Sequence, residues 1–160
     1  MGKKRRQRTR IVLDSELKIP MDSRLVRTAS TSPVWVVCRR DAPACREQTL
    51  VSAGVHVIRV PGGESGVDLP FLLKELGRRR ISSILVEGGG RVLGSFIQNG
   101  FADGFYFFYA PKILADPSGV CMLSGRPRLK IADCVRAYGL STRKLGEDLL
   151  VCGRFGEQLY

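Results

Sequence analysis

The sequence predicts an α/β protein whose sheet is mostly parallel and is finished by an antiparallel hairpin. Three observations carry that expectation. The apolar runs VWVVC at residues 34–38 and ILV at residues 84–86 are continuous, not alternating, as in strands covered on both faces. Up to Gly100 such runs alternate with helical patterns, the arrangement that yields parallel strands joined by crossover helices. Beyond Gly100 no good helical pattern recurs and strand-like runs follow one another.

Taken in order, residues 10–14 (RIVLD) read as the first strand, and residues 18–22 as an extended loop, because Pro20 disfavours helix before it. The second strand is 34–38, followed by a weakly helical stretch over 42–52 and a third strand over 55–60. The segment 61–66 (PGGESG) is a loop by composition. Asp68 is placed to cap the next helix, with Pro70 tolerated in its first turn. Leu69, Leu72, Leu73 and Leu76 give that helix one apolar face. Residues 81–86 are expected as a fourth strand, 91–99 as a short helix closed by Gly100, and 105–109 (FYFFY) as a fifth strand serving core and dimer contact. Residues 129–136 and 149–155 are expected as two further strands, flanking a looser segment at 139–146.

A chain of 160 residues that is 44% hydrophobic has the material for one core, and the usual ~100–200 residues per domain point to a single domain over residues 10–156 behind a basic leader, residues 1–9. No apolar run approaches the ~18 residues of a membrane span, and no apolar segment follows the basic N-terminus. The expectation is a soluble cytoplasmic protein without a membrane partner. Cys38, Cys45, Cys121, Cys134 and Cys152 form no C-x-x-C pair, and His56 is the single histidine, so no zinc site is expected. Scattered reduced thiols suit a reducing compartment. His56 lies in a strand pattern, where an exposed face is the plainer reading than catalysis.

The net charge of +11 points to anionic partners, but much of it sits in Lys3, Lys4, Arg5, Arg6, Arg8 and Arg10. That leader lacks the aromatics that stack on bases and reads as a solubilising tail, so nucleic acid is not the expected partner. Arg78, Arg79 and Arg80 close a helix, where cations complement its dipole.

The most informative stretch is residues 84–96, ILVEGGGRVLGSF: an apolar run, consecutive glycines, then helical periodicity. Glycines at such a junction let a ligand approach the backbone, and the unpaired N–H groups of the first helical turn attract anions, so a phosphate fits there. The spacing departs from the dinucleotide fingerprint, because Leu93 stands where the third glycine belongs and Gly94 comes one residue late; no Walker lysine follows either. The plain alternative is that the glycines only permit close helix packing.

Three segments in order then resemble one family: RIVLDS at 10–15 with IPMDSRL at 19–25, VEGG at 86–89, and YAPKIL at 109–114. Together they resemble the C-terminal reductase domain of the bifunctional riboflavin-biosynthesis deaminase/reductase, over nearly all of residues 10–155. The resemblance implies a dihydrofolate-reductase-like three-layer sandwich that uses NADPH to reduce 5-amino-6-(5-phosphoribosylamino)uracil to its ribitylamino form. By motif position it implies that Gly89, Gly90, Arg91, Val92, Leu93, Gly94 and Ser95 line the cofactor phosphates and ribose. It also sets Ser15 near the adenosine 2′-phosphate and makes Glu87 the substrate-contacting acid. Asp14 is read as ordering its own turn.

The family places a first strand, a helix and a further loop before the point matching Arg10. The resemblance therefore implies a partial reductase domain, weakly active or inactive alone, in which no residue is assigned as the catalytic acid. An uncovered sheet edge implies a homodimer. Two alternatives stand beside this one: a non-catalytic basic binding module on the same fold, and a pteridine reductase of the dihydrofolate-reductase type.

Overall fold

The computed structural model of the protein describes residues 8–63, 66–127 and 130–156. The chain forms two compact units, Met1–Ile84 and Leu85–Tyr160. Most of the leader, residues 1–7, lies outside the described residues.

The first unit is built on three parallel strands, β1 (Arg10–Leu13), β2 (Val34–Arg39) and β3 (His56–Val60), in the order β1-β2-β3. Between them come α1 (Arg24–Arg27) and α2 (Ala44–Ser52), and α3 (Leu69–Arg78) follows β3. Val34, Val36 and Cys38 alternate along β2 into a core cluster with Leu17, Ile19, Val26, Leu50 and Val55. Val37, on the opposite face, is equally buried. Both faces of β2 are thus covered, which is why its apolar run is continuous. The Asp68 carboxylate accepts the Phe71 N–H at 2.8 Å and caps α3 as expected. Leu69, Leu72 and Leu76 form the buried face of that helix.

The turn after β1 is fixed by side chains. Asp14 Oδ2 accepts the Ile19 N–H at 2.6 Å, so this carboxylate orders its own turn. Leu17 has φ +58°, rare for a branched side chain, and is fully buried. Its carbonyl accepts from Arg46 Nε at 3.0 Å, tying the turn to α2. The one-turn helix α1, capped by Ser23, was not foreseen; four residues are too few to show helical periodicity.

His56 lies on the exposed face of β3, where Arg79 Nη1 donates to its Nε2 at 2.8 Å and Trp35 packs with its ring centroid 5.5 Å away. Arg79 is always charged, so the histidine nitrogen that accepts must be unprotonated. Burial and then the neighbouring Arg79 charge hold His56 below its ordinary value. The native state therefore binds fewer protons than the unfolded chain as pH falls through about 6.5. Stability should drop on acidification across that range and be restored above it. Urea melts followed by fluorescence of Trp35, the single tryptophan, should show a lower midpoint at pH 5.5 than at pH 7.5. In His56→Gln that difference should shrink.

The second unit contains α4 (Gly90–Gln98), β4 (Gly104–Tyr109), a 3₁₀ turn (Ile131–Asp133), β5 (Tyr138–Leu145) and β6 (Asp148–Arg154). Its strands form an antiparallel sheet in the order β4-β6-β5. The closing hairpin turns between Leu145 and Asp148, with Gly146 at φ +63° supplying the left-handed residue. On β4, Phe105 and Phe107 are half-buried and stack at 4.4 Å, while Tyr106 and Phe108 point to the exposed face.

Three expectations are corrected. Residues 81–86 form no strand: they have no regular structure and pair with neither sheet. The apolar run at 84–86 permits a strand, but only a paired neighbour satisfies a strand's backbone groups, and no such pairing is present among the described residues. Of the expected strand at 129–136, residue 129 lies outside the described residues, and the remainder holds the 3₁₀ turn instead. The segment 139–146, expected to be loose, supplies most of β5.

Candidate functional site

Gly89 is the N-cap of α4, with φ −67° and ψ 166°, and no side chain caps the helix. The first N–H groups of such a helix lack intrahelical acceptors and carry the positive end of its dipole, although here the Val92 N–H already donates to the Gly89 carbonyl at 3.0 Å. A Cβ built at Gly89 would meet nothing within 4 Å, so the approach to these groups is open. Gly89, Gly90, Arg91 and Val92 line a groove of about 460 Å³.

The opposite wall is a strap formed by residues 120–126, of which Val120, Cys121 and Ser124 face the groove. The Ser124 N–H donates to the Gly90 carbonyl at 3.0 Å. Gln98 Nε2 donates to the Arg126 carbonyl at 2.9 Å, and Gln98 Oε1 accepts the Arg126 N–H at 3.0 Å. Close approach of the strap depends on glycine: a Cβ at Gly90 would collide with the Cys121 carbonyl, and one at Gly94 with the Ser124 carbonyl. Four of the residues picked out in the sequence therefore share one groove. Leu93, Gly94 and Ser95 do not line it; Gly94 packs under the strap, and the Ser95 hydroxyl donates back to the Arg91 carbonyl at 2.8 Å.

Glu87 is exposed in the irregular stretch before α4. Gly88, after it, is held close to the helix, since a Cβ there would stand 2.9 Å from Val92 Cβ. In the first unit, Ser15 is half-buried at the end of β1, and its carbonyl accepts the Arg39 N–H at 3.0 Å. Gly66, at φ +97°, leaves room for it: a Cβ there would lie 3.3 Å from Ser15 Cβ. Lys18 is exposed and paired with Glu16 at 2.5 Å. Among the described residues no cluster of His, Cys, Asp and Glu is arranged to hold a metal ion. No helix among them is long and apolar enough to cross a membrane.

The strap was invisible in the sequence. Its residues, VCMLSGR at 120–126, show neither helical nor strand periodicity, and the one signal was the presence of small residues, Gly94 and Gly125, on the two segments that meet.

Residues 1–151 match the family model of the RibD C-terminal domain. The chain belongs to this family. Riboflavin biosynthesis protein RibD of Aquifex aeolicus is 31% identical over 146 residues, covering 91% of this chain and 38% of that protein. The 2,5-diamino-6-ribosylamino-4(3H)-pyrimidinone 5′-phosphate reductase of Archaeoglobus fulgidus is 27% identical over 146 residues, covering 91% of this chain and 62% of that protein. Among solved structures, Acinetobacter baumannii RibD (form 1) superposes with a TM-score of 0.75 at 23% identity, over 92% of this chain and 37% of that one. The fold is thus that of RibD reductase domains, dihydrofolate-reductase-like. The chain spans less than half the length of the RibD proteins it matches.

Proposed function

We propose that the chain carries the cofactor-binding part of an NADPH-dependent reductase of riboflavin biosynthesis. Its substrate would be 5-amino-6-(5-phosphoribosylamino)uracil and its product the ribitylamino form. The observation that carries this reading is the uncapped start of α4 at an open Gly89, within a groove and on a RibD-family chain. A pyrophosphate fits that place by charge and by space, since the donors are backbone N–H groups and no side chain obstructs them. NADPH would supply the hydride delivered to C1′ as the ribose ring opens. Gly89, Gly90, Arg91 and Val92 would hold its phosphates, with Leu93, Gly94 and Ser95 completing the motif behind them. Ser15 would donate a hydroxyl hydrogen bond to the 2′-phosphate. Glu87 would accept hydrogen bonds from substrate hydroxyl or amino groups. The proton that the ring oxygen needs has no assigned donor among these residues.

Calorimetric titration tests this. NADPH should bind more tightly than NADH, Gly89→Val should abolish binding, and Glu87→Gln should keep NADPH while losing the pyrimidine substrate. Absence of binding at millimolar NADPH, or equal binding by Gly89→Val, would sink the cofactor reading.

The same reading makes the protein a cytoplasmic homodimer, with the exposed β4 face as the contact. Tyr106 and Phe108 are 67% and 61% exposed, more aromatic surface than a strand face normally gives to water. Sedimentation equilibrium should report twice the chain mass of 17.7 kDa, and Phe108→Lys should return the monomer.

A further inference from the structure

We propose that Gln98 is a positioning residue for the groove at the start of α4, acting through the strap and not by touching ligand. This inference rests on the reading of Gly89, Gly90, Arg91 and Val92 as phosphate-contacting. Gln98 sits at the last residue of α4, a full helix length from the groove. Its side-chain amide pairs with the backbone of Arg126 through both a donor and an acceptor, at 2.9 and 3.0 Å, as one peptide group pairs with another in a ladder. The strap is thereby held at two points, at Ser124 by the Gly90 carbonyl and at Arg126 by Gln98.

Shape supports the same role. A Cβ at Gly125 would stand 2.5 Å from Gln98 Oε1, so the glycine beside Arg126 makes room for the clamp. Between these two anchors and the far end at Val120, the strap presents the wall that closes the groove opposite Gly89. A loosened wall leaves an anion at α4 open to water on one side, where the attraction of backbone dipoles is screened. Gln98 thus sets how well the groove is formed before a ligand arrives, which is affinity gained through preorganisation.

The test compares Gln98→Met, similar in length but without hydrogen bonds, with Gln98→Glu, which keeps the acceptor for the Arg126 N–H and loses the donor. Loss of both hydrogen bonds should weaken NADPH binding about tenfold. The Glu variant sets a carboxylate oxygen against the Arg126 carbonyl and should weaken binding at least as much as Met. Because the strap faces the part common to both cofactors, NADH should weaken by the same factor as NADPH. Amide exchange at Ser124 and Arg126 should accelerate in Gln98→Met while the exchange of β6 stays unchanged, separating a loosened strap from a loosened fold. If the parent chain binds NADPH and Gln98→Met binds it equally well, the positioning role is overturned and the cofactor reading stands. If the parent chain binds no NADPH, the cofactor reading falls and the positioning role falls with it.

Discussion

Leu17→Ala is expected to cost about 2–5 kcal/mol of unfolding free energy, the range for truncating a fully buried leucine. The side chain is 0% exposed and belongs to the cluster with Ile19, Val26, Val36 and Leu50, so its removal leaves a cavity in the first unit. The backbone adds a second, diagnostic effect. At φ +58° a Cβ is strained whatever the rest of the side chain, and alanine keeps that Cβ. Leu17→Gly relieves strain on the order of 1 kcal/mol, so it should be no worse than Leu17→Ala, reversing their usual order. Urea unfolding followed by Trp35 fluorescence measures both. An alanine variant clearly more stable than the glycine variant would show that the left-handed turn is not retained in solution. Leu17 lies two residues after Ser15, in the turn held by Asp14 and Arg46, so its loss would also unsettle the hydroxyl proposed for the 2′-phosphate.

What could be read from the sequence follows the range of the interactions involved. β2 and α3 were legible because burial on both faces, or on one helical stripe, is written into neighbouring residues, and β1 and β3 because their branched apolar residues favour strand. Residues 84–86 carry the same apolar signature, yet pairing is a property of a neighbour and not of the run itself. β5 failed in the opposite direction. Tyr138–Leu145 is an exposed edge strand with little apolar alternation, and its place is set by the hairpin turn at Gly146 and by pairing with β6. Leu17 gave no signal, since a single leucine between Glu16 and Lys18 has no periodicity.

The glycine turn was legible as a place of close backbone approach, but spacing does not say what approaches. Gly89 opens on free space, whereas Gly90 and Gly94 are filled by the strap. Close packing thus accounts for Gly90 and Gly94, and Gly89 is the glycine left open for the ligand approach proposed above.

Gly94→Ala brings the second large effect, and its sign is the informative part. In a helix interior, alanine is favoured over glycine by about 0.8–1.0 kcal/mol, because glycine loses more backbone freedom on folding. Gly77 in α3 shows the unopposed case: a Cβ there meets nothing within 4 Å, and Gly77→Ala should stabilise by about 0.4–1 kcal/mol. At Gly94 the same methyl runs into the Ser124 carbonyl, a backbone atom that cannot rotate away. Forcing an extra carbon into such a contact costs about 1–3 kcal/mol, enough to cancel or exceed the helical gain. The strap is the part free to yield, since it is held to α4 at Gly90 and Gln98 by hydrogen bonds and not by a buried apolar side chain. Its detachment should appear as faster amide exchange at Ser124 and Arg126, by about tenfold for each 1.4 kcal/mol lost. Melting of the Gly94→Ala chain at or above the parent temperature, with exchange unchanged, would mean that the strap does not pack on α4 in solution. If exchange does rise, the groove loses its far wall while Gly89 and the helix N-terminus stay intact, and NADPH binding in that variant then measures how much the wall contributes beyond the helix alone.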